Sequence, residues 1–252
     1  MKRCTKCILP ENYPGIRFND AGVCNFCLSY EPRHYLGGDA LREKIVSFKP
    51  LEATKVSTYD CVVGLSGGRD SSYLLYYVSK MLNLNVVAYC VDNGLMPDQT
   101  MKNIERMAKI LNVKLVIEKH NHLHDCLRHH MKALMHNPSA PMVGMLCTGC
   151  RLDVDTGLVN YARQHGIPVI VSGSTPLEGG TYKRDLMKLQ IVENPKLSFF
   201  AGYLFQILKN PLWVMNLHCT ITQIREYLVH FRKKHNQSNI LTIGPFFNYI
   251  HW

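Results

Sequence analysis

Tyr59-Asp60-Cys61-Val62-Val63-Gly64-Leu65-Ser66-Gly67-Gly68-Arg69-Asp70-Ser71-Ser72-Tyr73-Leu74 reads as a short apolar strand, a Ser-Gly-Gly turn, and a helix opening with an acid and two hydroxyls. Two adjacent glycines at a strand-to-helix turn permit positive φ and let backbone N–H groups approach a ligand, and the helix offers its unpaired first-turn amides. Such a turn is built to bind phosphate. A bare Gly-Gly would equally suit an ordinary turn with Ser71 or Ser72 as helix cap. The whole Ser-Gly-Gly-x-Asp-Ser-Ser string, set between an apolar strand and an apolar helix, favours nucleotide phosphate.

Outward from this turn the chain repeats strand then helix. Runs rich in branched apolar residues at 61–65, 86–91, 114–118 and 168–172 predict strands covered on both faces, as in a parallel sheet. Three-to-four residue apolar spacing predicts helices over 72–82, 100–111 and 152–165, for example at Ile104, Met107, Ala108 and Leu111. The expected fold class is α/β, an open, doubly wound parallel sheet. Ligands in such sheets lie at the carboxyl ends of the strands. The turn at Ser66, the Asp92-Asn93-Gly94 segment and Ser172-Gly173-Ser174-Thr175 should therefore stand side by side.

Cys4-Thr5-Lys6-Cys7 and Cys24-Asn25-Phe26-Cys27 have the spacing of a four-cysteine zinc ribbon. Four thiolates leave no position open for substrate, so the zinc is expected to be structural. The expected domains are a zinc ribbon over 1–30, a linker with one short helix over 31–58, and the α/β domain over 59–252 with an extension from about 181.

The Ser-Gly-Gly-x-Asp-Ser-Ser turn resembles the PP-loop of the N-type ATP pyrophosphatases, and lacks the Gly-Lys-Ser/Thr of a Walker A loop. Ile8-Leu9-Pro10-Glu11 and the run from Pro14 through Phe18-Asn19-Asp20-Ala21-Gly22-Val23 to Cys27 resemble the ribbon of the lipopolysaccharide N-acetyl sugar amidotransferases. The resemblance implies cleavage of ATP between its α- and β-phosphates and adenylation of a carbonyl oxygen. It implies a nucleotide cradle of Gly64, Leu65, Ser66, Gly67, Gly68, Arg69, Asp70, Ser71 and Ser72. Val91 and Asp92 would line the adenosine, and Gly173 with Ser174 would border the α-phosphate. Asp92 also reads as a plain loop cap, and Gly173 as a plain turn glycine.

Cys147-Thr148-Gly149-Cys150, with Arg151 beside it, departs from that family. Read at the opening of a helix, where the terminus and Arg151 would lower a thiol pKa, it resembles the pair with which tRNA-thiolating PP-loop enzymes hold an iron–sulfur cluster or persulfide. A buried structural pair is the alternative. His120, His122, His124, Cys126, His129 and His130 form a dense patch, read as a solvated helix with metal or phosphate contact as the rival.

The 252 residues allow one α/β domain with a small appendage. A formal net charge of +10 favours anionic partners, and the ten cysteines, with no apolar leader in the first ten residues, suggest a reducing cytoplasm. The apolar stretch 197–215 is broken by Gln206 and Lys209-Asn210-Pro211, which argues against a membrane span and for a buried or partner-facing helix. A helix is expected over 222–234.

The expected mechanism has Ser66, Ser71, Ser72 and the loop amides holding pyrophosphate, Asp70 binding Mg²⁺, and Arg69 reaching a phosphate. Ammonia from a separate glutaminase then displaces AMP from an adenylated N-acetyl sugar or nucleotide sugar. The alternative second step is sulfur transfer to a tRNA base or thioamide through Cys147 and Cys150. A further alternative is a non-catalytic nucleotide or nucleic-acid binding module. The sequence allows an oligomer.

Overall fold

In the computed structural model, β1 (Cys61–Gly64) is the middle strand of a wholly parallel sheet. Its neighbours are β2 (Val86–Asp92), β3 (Lys114–Lys119), β4 (Val169–Val171) and β5 (Leu241–Ile243), in the order β3-β2-β1-β4-β5. The structure describes all residues except 14, 33, 50–56, 175–185, 188–194, 222–223, 225–239, 247 and 252. It divides into two compact units, Met1–Tyr35, which carries the short helix α1 (Asn25–Leu28), and Leu36–Trp252.

The period-two alternation of the strands sorts the core of the larger unit onto two faces. Cys61, Val63, Val86, Ala88 and Cys90 face one cluster; Val62, Val87, Tyr89 and Val91 face the other. Helices α3 (Arg69–Tyr76) and α4 (Asp98–Leu111) cover the first face through Leu74, Leu75, Ile104 and Leu111. Helices α5 (Asn121–His136) and α6 (Ala140–Gln164) cover the second through Leu123, Leu127, Leu158 and Ala162. Each such leucine or isoleucine, fully buried, contributes about 1.5–3 kcal/mol of transfer free energy. The chain winds outward through β2 and β3 on one side of β1, then returns by α5 and α6 to place β4 on the other. The doubly wound sheet read from the sequence is the observed fold, and its switch point lies between β1 and β4.

The structure adds to the reading at three places. Helix α2 (Gly37–Ser47), within the expected linker, buries Leu41 and Ile45 in the first core cluster, because their i, i+4 spacing gives it one apolar stripe. The helix expected over 152–165 begins at Ala140, with Pro141 in its first turn, where the missing N–H costs nothing. Strand β5 was not foreseen. It pairs with β4, and Phe246 and Ile250 beyond it are buried in the first core cluster.

The helix expected over 222–234 falls almost wholly outside the described residues. Helix Pro195–Lys209 buries Ser198 and leaves Leu197, Leu204 and Leu208 exposed. Among the described residues no helix is long and apolar enough to cross a membrane.

Candidate functional site

The turn after β1 is drawn tight by its own hydroxyls. The Ser71 hydroxyl donates to the Gly68 carbonyl at 3.2 Å, accepts the Ser66 N–H at 3.2 Å, and lies 3.1 Å from the Ser66 hydroxyl. Gly67 holds φ +75°, and a Cβ there would stand 2.7 Å from Thr100 Cγ2 and 3.0 Å from Ile104 Cγ1. We expect Gly67→Ala to cost about 2–5 kcal/mol, combining the left-handed backbone penalty with overpacking against α4. A denaturation midpoint checks this.

With Gly68 extended at φ −75° and ψ 164°, α3 starts without a side-chain cap and carries Asp70 in its first turn. Ser66, Gly68 and Arg69 are exposed, Gly64, Gly67, Asp70 and Ser72 half-buried, and Leu65 and Ser71 buried. Arg69 Nε lies 3.4 Å from Asp70 Oδ1. Of the three serines read as phosphate ligands, Ser71 is thus engaged in shaping the loop.

Gly173, just after β4, comes directly against this helix start: a Cβ on it would lie 3.5 Å from both N and Cα of Ser71. The Ser172 and Ser174 hydroxyls meet at 3.0 Å beside it. The structure thus brings the turns after β1 and β4 together at the switch point. At the end of β2, Val91 is buried, and the Asp92 carboxylate accepts the Gly94 N–H at 2.8 Å, capping its own turn.

Cys150 sits within α6, its sulfur 4.0 Å from Asn93 Nδ2 at the carboxyl end of β2. The side chain of Cys147 lies outside the described residues, and with it the candidate second metal. Because α6 starts at Ala140, the pair is about two turns inside the helix, where the amides are already bonded. The pair therefore does not open the helix as read, and Arg151 Nε lies 3.6 Å from Asp155.

The histidine patch is helical from Asn121, and two of its members are spent on packing. His130 is buried and stacked on Trp213 at 4.6 Å, burial and the neighbouring His129 pushing its pKa down to about 4. His129 Nε2 donates to the Leu212 carbonyl at 2.8 Å.

A cluster that sequence reasoning missed lies where β2, β3, α5 and α6 meet. The Tyr89 hydroxyl donates to Glu118, His120 Nε2 lies 3.3 Å from Glu118 Oε1, and His120 Nδ1 is hydrogen-bonded to Asp153, whose side chain is buried. Gly157 makes room for it, since a Cβ there would stand 2.6 Å from the Tyr89 hydroxyl. These residues are scattered over 89–157, and only the turn at His120 and the helix-interior glycine hinted at it.

Burial disfavours the charged imidazole, but Asp153 and Glu118 more than offset it and raise the His120 pKa above its ordinary value. A raised histidine stabilises the fold fully below its unfolded pKa of ~6.5, and that contribution is lost as pH rises through the folded value. His120→Gln should flatten that decline, read as unfolding midpoint against pH.

In the smaller unit, the sulfurs of Cys4, Cys7, Cys24 and Cys27 all lie within 4.8 Å of one another, with Cys4–Cys27 at 3.9 Å and Cys7–Cys24 at 3.6 Å. A tetrahedral ion with Zn–S bonds of about 2.3 Å requires sulfurs about 3.8 Å apart, so the four fit zinc. Burial raises the Cys4 thiol, yet the N–H groups of Cys7, Cys24 and Lys6 aimed at its sulfur bring it down to about 6. Among the described residues no other His, Cys, Asp or Glu group is arranged to hold a metal.

No protein-family model matches the chain, and no curated protein matches it. Several solved structures are similar, among them the following. An NMN synthetase from Francisella tularensis is 17% identical with a TM-score of 0.34, over 47% of this chain and 46% of that one, so the match spans about half its length. An NH3-dependent NAD synthetase from Campylobacter jejuni is 14% identical with a TM-score of 0.38, over 79% of this chain and 89% of that one. The U34-tRNA thiolase NcsA from Methanococcus maripaludis, solved with its 4Fe-4S cluster, is 16% identical with a TM-score of 0.36, over 95% of this chain and 84% of that one.

Proposed function

We propose that this chain adenylates the carbonyl oxygen of an N-acetyl sugar or nucleotide sugar, releasing pyrophosphate, after which ammonia displaces AMP. The observation that carries the reading is the uncapped start of α3 pressed against Gly173 at the β1/β4 switch point, where an anion meets amides from one strand end and hydroxyls from the next. The Gly-Gly turn and α3 amides bind the phosphates, with Ser66 and Ser72 hydroxyls beside them. Ser71 holds the turn rigid, and Arg69, exposed beside it, reaches toward added negative charge.

Asp70, the acid of the first turn, is the side chain that would hold Mg²⁺, which when bound neutralises phosphate charge. Fixing the α-phosphate against the acceptor oxygen by preorganised donors is the main catalytic device, as in phosphoryl-type transfers generally. The ammonia would come from a separate glutaminase.

Cys150 at the same sheet edge favours a second reading, in which sulfur replaces ammonia and tRNA is the acceptor. Purified protein is incubated with ATP, Mg²⁺ and either N-acetyl sugars with their UDP-linked forms, or unmodified tRNA. Pyrophosphate release with an acetamido sugar, followed by AMP on adding ammonium, is the expected result. Release with tRNA alone moves the assignment to sulfur transfer. Release with neither leaves a binding module and overturns the proposal.

A further inference from the structure

Near neutral pH ammonia is present as ammonium, whose nitrogen has no lone pair, so attack on an adenylate requires that a base first remove a proton. A cleft of about 270 Å³ opens at the carboxyl edge of β2 and β3, lined by Asp92, Gly94, Lys119, His120 and His124. It belongs to the same edge as the phosphate turn, with β2 directly beside β1.

The charges around the cleft select its ligand. Asp92 comes from β2, Glu118 and Lys119 from β3, and Asp153 from α6; His124 of α5 lies 3.3 Å from Asp125, and Tyr89 of β2 donates to Glu118. Carboxylates outnumber fixed cations here, which disfavours an anion and suits a small cation. His120 is the member that both lines the cleft and is held from behind by a buried carboxylate. Glu118, on its other nitrogen, has a side chain 51% exposed and so connects the ring to solvent.

We propose that this cleft admits ammonium for the second half-reaction, and that His120 takes a proton from it and passes that proton through Glu118 to solvent. The inference rests on the adenylation reading. An N–H bond of ammonium breaks, the proton goes to Nε2 of neutral His120, and the electron pair stays on nitrogen. Asp153 accepts the Nδ1–H throughout and is the positioning residue. Ammonia then forms the C–N bond at the adenylated carbon while the C–O bond to AMP breaks. The acetamido N–H proton leaves to solvent when the adenylated imidate forms, one proton of the added nitrogen moves to the sugar nitrogen as the tetrahedral intermediate collapses, and amidinium and the AMP dianion leave. The two carboxylates that raise the His120 pKa also make it a stronger base, better matched to an ammonium acid.

The test uses the acetamido sugar that supports pyrophosphate release, with ammonium or hydroxylamine as nucleophile at pH 7, where hydroxylamine is already largely neutral. His120→Gln should keep its pyrophosphate burst, lose about 100-fold or more in turnover with ammonium, and react with hydroxylamine as wild type does. Asp153→Asn should show the same split between nucleophiles to a smaller degree. Equal loss with both nucleophiles, loss of the burst itself, or undiminished turnover with ammonium would overturn the relay while leaving adenylation standing. Absence of any burst in the wild-type protein would remove the adenylation reading and the relay with it.

Discussion

Asp70→Asn should lower pyrophosphate release by about 10²–10³-fold while leaving the fold intact, since losing one preorganised charge-stabilising group typically has that effect. Asp70 is half-buried in the first turn of α3, beside the glycine turn and one residue before Ser71, whose backbone lies under Gly173. Its carboxylate is thus placed where phosphate charge would accumulate and where a divalent ion is needed to balance it. Asparagine preserves shape and removes charge. The carboxylate's interaction with the helix dipole is worth only about 0.3–1 kcal/mol, so the unfolding midpoint should barely move. Pyrophosphate release and thermal unfolding, measured on the same preparation, separate the catalytic effect from a structural one. A release rate within twofold of wild type would remove Asp70 from the mechanism.

Cys24→Ser, or a strong chelator, should abolish order across residues 4–27. Among the described residues, Cys4 and Cys24 are the only buried apolar side chains of the smaller unit, so without a bound metal there is almost no core to hold it. Structural zinc contributes an apparent 10–16 kcal/mol to small domains of this kind, far more than the Arg3–Pro10 and Phe18–Cys24 bridges can replace. Metal analysis should give one zinc per chain, none in the variant, and hydrogen exchange should show protection lost over 4–27. Retained protection with no metal bound would contradict the assignment.

Much of the α/β fold was legible because its code is local. The apolar runs of β1, β2 and β4 are buried on both faces, Leu115, Val116 and Ile117 of the edge strand β3 are half-buried, and the 104, 108, 111 spacing of α4 faces the sheet as read. Where the information was long-range, it was hidden. Strand β5 is three residues long, and it is a strand only because β4 is beside it. Helix α6 begins well before the segment with clear periodicity, since a run containing Gly144 and Gly149 has no apolar stripe to announce it. The phosphate turn could be read from adjacent residues. The Tyr89-Glu118-His120-Asp153 cluster could not, because β2, β3, α6 and the turn before α5 contribute one residue each and only the completed sheet brings them together. Ser71 shows the same limit on a smaller scale: its hydroxyl was visible, but its role in closing the turn depends on where the Gly68 carbonyl points.

In the proposed reaction an acceptor carbonyl oxygen attacks the α-phosphate of ATP. The most direct measurement is the fate of that oxygen. With an N-acetyl sugar whose acetamido oxygen carries oxygen-18, turnover with ATP and ammonium should deliver the label into the phosphate of AMP, one atom per turnover. Label that stays in the sugar, or AMP that takes its new oxygen from water, would contradict adenylation.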